Sequence, residues 1–419
     1  MVGEERGLRV LFVDNQVTDF LQYRMPLAIA MREAGFEVHV AVPREDGLDE
    51  IARQGIRVHT FYIHRVSTFL PGEIRSWLSL VRLYRRVRPT LVHHLCLKPA
   101  LYGGIAARIA GVPAAVSTIT GLGYLFTRQD WRARALRSLV AGGFRFACGH
   151  HNHRVIFQNH DDRDWMLASQ LVSREQAVLI RGSGVNLDVF TPEPPPEGPP
   201  VVMMAARLLW PKGVDKFVAA ARELRIRGIR ARFVLLGEPD WGHPAAIPVR
   251  TLERWHDAGD VEWIGWRGDV HALIAQSHVI CLPSAYGEGI PRILVEAAAS
   301  GRAVVATDSP GCREVVRHGY NGLLVPTNNR EALVEAINEL IENAQLRNVM
   351  GLRGREVAVN EFSLAEKIRA NLDVYRSLLV SIPIVGNHDT RQELMSRASQ
   401  ALSRINGSDA LQHLQRTRF

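Results

Sequence analysis

The sequence predicts an α/β protein built of two doubly wound domains with a cleft between them. Three observations carry this. At 419 residues the chain exceeds what one ordinary hydrophobic core accommodates. Short apolar strands alternate with helical segments through both halves, the pattern of parallel sheets covered by helices on both faces. Between the halves, "TPEPPPEGPP" (191–200) is stiff and cannot continue a helix or a central strand.

The first half begins with the strand "RVLFV" (9–13). Helical spacing over 19–35 ends at Gly35, and "EVHVAV" (37–42) and "GIRVHTFYI" (55–63) are strands. A helix at about 73–88 leads to the strand "TLVHHL" (90–95), then a helix at about 98–110 stops at Gly111. Strands follow at 114–119, 153–157 and 177–180. After the Pro-rich stretch the alternation resumes: strands at 201–206, 232–237, 261–265, 278–283, 303–308 and 321–326. Helices are expected from about 213, at about 290–300, 329–343 and 345–359. The expected domains are therefore 1–190 and 201–362, joined by the linker 191–200. A last helix over 363–380 returns to the first domain, and a polar tail occupies 381–419, with an amphipathic segment at 391–405.

Composition narrows the class. There is no apolar run near the ~20 residues that a membrane span needs. The opening "MVGEERGLRVLFVDN" lacks the basic-then-apolar pattern of a secretory signal. Cys96, Cys148, Cys281 and Cys312 are far apart and form no C-x-x-C, as in reduced cytosolic proteins. Net charge is +8, and it is uneven: residues 1–190 hold 24 Lys and Arg against 17 Asp and Glu, the remainder 27 against 26. A basic first half suits an acidic partner. "RSWLSLVRLYRRVR" (75–88) interleaves Trp77, Leu80, Val81 and Tyr84 with five arginines, and "RQDWRARALRSLVAGGFRF" (128–146) has the same character. Basic amphipathic stretches with aromatics suit an anionic membrane surface; a core-facing helix with a solvated basic face is the alternative. No basic–aromatic recognition motif points to nucleic acid, and no G-x-G-x-x-G follows the first strand of either half, which argues against a dinucleotide-dependent dehydrogenase.

The chemistry concentrates in "SAYGEGIPRILVEAAASG" (284–301). Glu288 falls in the loop after a buried strand, and Glu296 lies inside the following helix. Pro291 suits a first turn, and the N–H groups near Gly289 and Ile290 make an anion site at the helix start. In "AARLLWPKG" (205–213), Arg207 and Lys212 stand beyond the carboxyl end of a strand, where two cations suit a diphosphate. "NHDDRD" (159–164) opens a helix, so Asp161 and Asp162 serve its dipole rather than a metal. "HHNH" (150–153) lacks Cys or carboxylate neighbours and reads as a loop or surface cluster.

Glu288 and Glu296 in E-x7-E order, Arg207 with Lys212 and Gly213, and "GCREVVRHGYNGLLVP" (311–326) together resemble the retaining glycosyltransferases of family 4, over most of residues 8–380. The resemblance implies the GT-B fold and a nucleotide-sugar donor, a UDP-sugar above others. It implies that Arg207 and Lys212 bind the donor diphosphate, Glu288 the donor-sugar hydroxyls and Glu296 the ribose. Gly289 and Ile290 supply backbone N–H groups, and Trp266 in "GWRGD" lies near the base. Transfer proceeds with retention, by front-face attack, with no metal and no cofactor. "VHHLCLKPALYGGIAARIAGVPAAVSTITGLGYLF" (92–126) is similar to the subset that extends polyprenyl-diphosphate-linked sugars for bacterial surface polysaccharides. Asn15, His94 and Lys98, beyond strand ends in the first domain, are then acceptor or donor-sugar contacts. The Gly-Gly loop usual after the first strand is replaced here by "DNQVTDF". The implied setting is cytoplasmic, peripheral to the inner face of the plasma membrane. A soluble transferase with a small acceptor is the alternative within this class, and a basic nucleic-acid-binding protein the alternative outside it.

Overall fold

The computed structural model describes residues 8–63, 70–121, 131–285, 287 and 289–382, without side chains for 70–71 and 131–139. It divides into two compact units, one of residues 1–183 with 365–419 and one of residues 184–364.

In the first unit the order is β1 (Arg9–Val13), α1 (Val17–Tyr23), α2 (Met25–Glu33), β2 (Glu37–Val42), α3 (Leu48–Arg53), β3 (Arg57–Thr60), α4 (Leu70–Val87), β4 (Leu91–Leu95), α5 (Leu97–Ala110), β5 (Ala114–Ile119), α6 (Trp131–Cys148), β6 (His153–Phe157), α7 (His160–Ala168) and β7 (Ala177–Leu179). The helix expected over 19–35 is two helices. They part at Arg24, because Pro26 in the first turn of α2 has no N–H to continue a ladder. All seven strands are parallel, in the order β3-β2-β1-β4-β5-β6-β7. On one face Leu11, Val13 and Val92 pack under α4 and α5, against Leu80, Val81, Leu83 and Tyr84. Leu80, Val81, Leu83, Tyr84 and Val87 of this helix are therefore core, while Ile74, Arg75, Arg82, Arg85, Arg86 and Arg88 are exposed. Of the two readings of 75–88, the packing is that of a core-facing helix with a solvated basic face.

The second unit follows with β8 (Val201–Ala205), α8 (Val214–Ile226), β9 (Arg232–Leu236), α9 (Val249–Asp257), β10 (Glu262–Trp263), α10 (Val270–Ala275), β11 (Val279–Leu282), α11 (Arg292–Ala299), β12 (Ala303–Thr307), α12 (Pro310–Arg313), β13 (Gly322–Val325), α13 (Arg330–Glu342) and α14 (Ala344–Glu361). Its parallel sheet runs β10-β9-β8-β11-β12-β13 around one continuous core. Residues 191–200, expected as an interdomain linker, lie within this unit. The boundary falls at Ser183/Gly184. The buried Arg302 accounts for this, since its guanidinium donates to the carbonyls of Glu193 (3.0 Å) and Ala275 (2.6 Å) and ties the Pro-rich segment to the sheet's own loops. The chain then re-enters the first unit through α15 (Leu364–Val380). The Tyr375 hydroxyl meets His93 Nδ1 at 2.5 Å, and Asn152 Nδ2 donates to Leu378 O at 2.9 Å. The segment 391–405 lies outside the described residues.

Polar side chains run through the first unit's core. His93 also meets Thr118 Oγ1 at 2.7 Å. Ser117 Oγ joins His94 (3.2 Å) to His153 (3.0 Å). "HHNH" is correspondingly not a surface cluster: His150 and His153 are buried, at 5% and 1% exposure, because they flank the start of the interior strand β6. Among the described residues His39, His93, His94, His150 and His153 are buried in the first unit, and His278 in the second. Desolvation pushes His153 down to about 3, with His150 and Arg154 adding to it, and holds His93 and His94 well below the ordinary range. These rings are neutral when folded but bind protons when unfolded, below about pH 6.5. Their contribution to stability is complete above that pH and is lost as pH falls. We expect the melting temperature to drop between about pH 6.5 and 4. Amide exchange should accelerate in β4, β5 and β6 before β11 and β12, and equal acceleration in both units would contradict the assignment.

Candidate active site

Open parallel sheets bind ligands beyond strand carboxyl ends, where the strand order reverses. In the second unit that point lies between β8 and β11. The chain leaving β8 passes Ala206, whose carbonyl stands 2.0 Å from where a Cβ on Gly237 would sit. Arg207 comes next. Its Nη1 donates to Asp240 Oδ2 at 2.8 Å, and its side chain is 42% exposed. An ion pair so solvated contributes about 1 kcal/mol at most. Leu208 and Leu209 are fully buried and anchor the loop. A 3₁₀ turn over Trp210–Lys212 then carries Lys212 into a site where it is 7% exposed.

Gly213 closes that turn with φ +79°, and a Cβ there would lie 2.1 Å from Pro283 O. Only glycine permits both the conformation and the approach. Ala285 N donates to Pro211 O at 2.9 Å, so backbone atoms join the loop after β8 to the loop after β11. The second loop continues through Gly287, Gly289 and Ile290 to Pro291, the N-cap of α11. Glu288 lies outside the described residues. Glu296, the fifth residue of α11, is 7% exposed and accepts from Arg292 Nε one turn earlier. Trp266 is 63% exposed on the loop after β10, two strands from β8 in the sheet order. Lys212, Gly289 and Ile290 thus share one pair of joined loops, and Trp266 does not.

The first unit has its own switch point, between β1 and β4. Asp14, directly after β1, is 1% exposed, and its Oδ1 accepts from Asn15 N at 2.7 Å. Burial pushes this carboxyl up to about 7. Asp19 adds to the rise, while Arg24 and the N–H groups of Asn15 and Gln16 oppose it. The Asn15 Oδ1 is buried and meets no hydrogen-bond partner among the described residues. Beyond β4, Cys96 has φ 72° and ψ 167°, a region that residues with a Cβ almost never occupy. Burial pushes its thiol up to about 12, with Asp14 and Asp19 reinforcing, so it is no thiolate nucleophile.

His94 departs from expectation. It is fully buried, with Ser117 Oγ at 3.2 Å and Tyr84 Oη at 3.1 Å. The pleat turns it under α5, where a Cβ on Gly103 would lie 2.2 Å from its ring. It is a core residue and not a ligand contact. Lys98, in the first turn of α5, donates to Glu73 Oε1 at 2.9 Å, both side chains being largely buried. Asp161 and Asp162 occupy the first turn of α7 behind the N-cap Asn159. Among the described residues no three His, Cys, Asp or Glu side chains gather to hold a metal ion, and no helix is long and apolar enough to cross a membrane.

Residues 188–357 match the family described as "Glycosyl transferases group 1", and residues 9–159 match "Glycosyl transferase 4-like". The chain belongs to the family 4-like glycosyltransferases. Relatives agree along its length. It is 29% identical to the N,N'-diacetylbacillosaminyl-diphospho-undecaprenol alpha-1,3-N-acetylgalactosaminyltransferase of Campylobacter jejuni, covering 81% of this chain and 91% of that one. It is 24% identical to the UDP-Gal:alpha-D-GlcNAc-diphosphoundecaprenol alpha-1,3-galactosyltransferase of Escherichia coli, covering 74% and 81%. Among solved structures, HepE from Anabaena with UDP and glucose superposes with a TM-score of 0.69 at 18% identity, covering 88% of this chain and all of that one. Sucrose-phosphate synthase from Thermosynechococcus elongatus reaches 0.75 at 18% identity, covering 89% and 100%. Both units of this glycosyltransferase are thus of the GT-B class.

Three site features are absent from the sequence expectations. Asp240, partner of Arg207, was signalled by "GEPDWG" (237–242), a turn-forming acidic loop at a strand's carboxyl end. The burial of Asp14 and the strain at Cys96 carry no local signal.

Two predictions follow from this geometry. Gly213→Ala forces a β-carbon against Pro283 O, so it should destabilise the second unit by about 2 kcal/mol or more and separate the two loops; an unchanged melting curve would contradict the contact. Asp14 is protonated more readily folded than unfolded, so its stabilising contribution is present below about pH 4 and lost as pH rises through about 7. Asp14→Asn should therefore raise the melting temperature at pH 8 and leave it unchanged at pH 4. A loss at pH 8 would reverse this account.

Proposed function

We propose that this glycosyltransferase moves a sugar, with retention, from a UDP-sugar to a polyprenyl-diphosphate-linked sugar in the synthesis of a bacterial surface polysaccharide or glycan. One observation carries the donor half: the backbone union of the β8 and β11 loops at the switch point, which sets the buried Lys212 beside the stretch entering α11. A nucleotide diphosphate needs concentrated positive charge at such a point, and Lys212 with Arg207 supplies it. Gly289 and Ile290 supply backbone N–H groups, Glu296 binds the ribose, Trp266 flanks the base, and Glu288 holds donor-sugar hydroxyls.

The bond from the sugar's anomeric carbon to the diphosphate oxygen breaks. The acceptor hydroxyl forms the new bond from the same face, and its proton passes to the departing phosphate oxygen. Lys212 and Arg207 stabilise the charge that grows on that oxygen. The protein's contribution is positioning and leaving-group stabilisation, with no metal and no cofactor required. The acceptor class rests on the two relatives whose names carry diphospho-undecaprenol sugars, at 29% and 24% identity. The exposed arginines of α4 and the basic excess of residues 1–190 suit an anionic membrane surface. That attraction is chiefly electrostatic and salt-sensitive, because most apolar residues of α4 are committed to the core.

Titration calorimetry with UDP and GDP, without added metal, tests the donor site. UDP should bind in preference to GDP, and Lys212→Ala and Arg207→Ala should each weaken it about tenfold to a hundredfold, the range for a hydrogen bond to a charged group. Binding of neither nucleotide by a folded wild type would remove the proposal's support. The configuration of the product's new linkage, read by NMR, decides retention.

A further inference from the structure

The first unit has a second concavity, at the end of its sheet away from the switch point. All seven strands are parallel, so the amino ends of β6 and β7 lie opposite the carboxyl ends of β1 and β4. There an open cavity of about 1290 Å³ is framed by the last turn of α6, the loop before β6, α7 and the loop before β7. Neither half of the proposed transfer uses it.

Its walls are basic. Arg145, Arg154, Arg163 and Arg174 line it, against Asp164 and Glu175. Arg163 Nε engages Asp164 Oδ1 at 2.9 Å. Among the described residues Arg145, Arg154 and Arg174 form no ion pair, so their charge is uncompensated. Arg145 donates to the carbonyls of Ser169 (3.2 Å) and Gln170 (3.3 Å), and Arg154 to that of His153 (3.2 Å). A carbonyl fixes a guanidinium without neutralising it. The floor is apolar: Cys148, Leu171 and Val172 are 4%, 3% and 5% exposed. Burial pushes the Cys148 thiol up to about 12, so it carries no charge that would repel an anion.

The frame is held before any ligand arrives. Gln176 Nε2 donates to Cys148 O at 2.5 Å, and its Oε1 accepts from Ser173 N at 3.2 Å, which ties the loop before β7 to the end of α6. Arg145 ties the same helix to the end of α7. Little freedom remains to be lost on binding. A second cavity of about 410 Å³ adjoins the first through Gly149, His150 and His151. Arg108 lines it, with Cζ 4.2 Å from the ring centroid of Phe146, which is 46% exposed.

We propose that this basic concavity is a binding site for a phosphate ester, with Arg154 and Arg174 contacting the phosphate and Arg145 as a fixed charge in its wall. Guanidinium forks match phosphate oxygens, and the apolar floor and exposed ring beside it suit the ester's organic part. The ester has two sources with the same chemistry, a soluble metabolite or the headgroup of an anionic phospholipid. The site is independent of the donor and acceptor readings above, since it lies at the other end of the sheet.

The test uses the full chain with saturating UDP. Glycerol 3-phosphate is titrated by calorimetry, and phosphatidylcholine vesicles with and without phosphatidylglycerol are tested by flotation. Arg154→Gln with Arg174→Gln should weaken binding about tenfold or more, the value of lost hydrogen bonds to a charged group. Arg53→Gln with Arg230→Gln removes the same charge from exposed positions elsewhere and should bind as wild type. Loss of glycerol 3-phosphate binding in the first pair alone supports a soluble ester. Loss confined to the phosphatidylglycerol vesicles supports a lipid headgroup. Should the first pair fail to fold, the exposed Arg174→Gln alone should weaken binding in the same direction. Equal behaviour of the two pairs on both probes overturns the proposal, as does a wild type that binds neither. Loss of the binding in Lys212→Ala also overturns it, by placing the anion in the second unit.

Discussion

The carbonyl of Pro283 stands 2.1 Å from the place a β-carbon of Gly213 would take, and the union of the β8 and β11 loops is built on that approach. Two loops that leave neighbouring parallel strands must diverge, because their helices pack on the sheet in opposite senses at a switch point. Here they are drawn together by a residue with no side chain and by the hydrogen bond from Ala285 N to Pro211 O. Lys212 can then be buried without a helix of its own. Its backbone position is set from both sides, by Lys212 N to Leu209 O and by Ala285 N to Pro211 O. In the proposed donor site this arrangement supplies positive charge with low reorganisation, which is what stabilising a leaving group requires.

Arg207 and Lys212 divide that task unequally. Arg207 is 42% exposed and already engages Asp240. Its guanidinium is held in place between ligands, at the loss of some attraction for an incoming anion. Lys212 is 7% exposed, so its field is the less screened of the two. Glu296 sits within the same helix that begins beside them, paired to Arg292. That pairing orients a carboxylate that would otherwise be costly to bury, and it leaves the carboxylate's second oxygen to be considered separately from the first.

Much of the architecture is legible in the sequence because parallel strands buried on both faces are continuous apolar runs. "RVLFV", "EVHVAV" and "AAVSTI" are found with the bounds read from the pattern. The short helices α3, α9, α10 and α12 are not, since four to nine residues give too few turns for periodicity to register. The Pro-rich stretch looks like a linker by composition, and only the spatial position of Arg302 assigns it to the second unit. In α4 the same apolar spacing fits a lipid-facing or a core-facing helix, and the sheet decides between them. In the candidate site, Lys212 stands out because a charge between proline and glycine in the loop after a strand is unusual, and Arg207 and Glu296 through the motif they share with it. Asp14 and His94 do not behave as their residue types suggest. A carboxylate is ordinarily exposed and a strand-end histidine is ordinarily accessible; the pleat and the loop bury both.

The two units solve the same geometric problem with opposite chemistry. Each places its polar residues where the strand order reverses, the second between β8 and β11, the first between β1 and β4. The second collects cations on flexible stems and fixes them with glycine and backbone hydrogen bonds. The first buries a carboxyl at Asp14, neutral over much of the acid range because burial pushes it up to about 7, and leaves an amide oxygen unpaired beside it. In the proposed donor site the cationic point attracts the diphosphate that must depart. The "DNQVTDF" that stands in place of a Gly-Gly loop is consistent with that difference: glycines would offer backbone N–H groups to an anion, whereas Asp14 occupies those N–H groups itself. The exchange engages the N–H groups after β1 with the chain's own carboxyl.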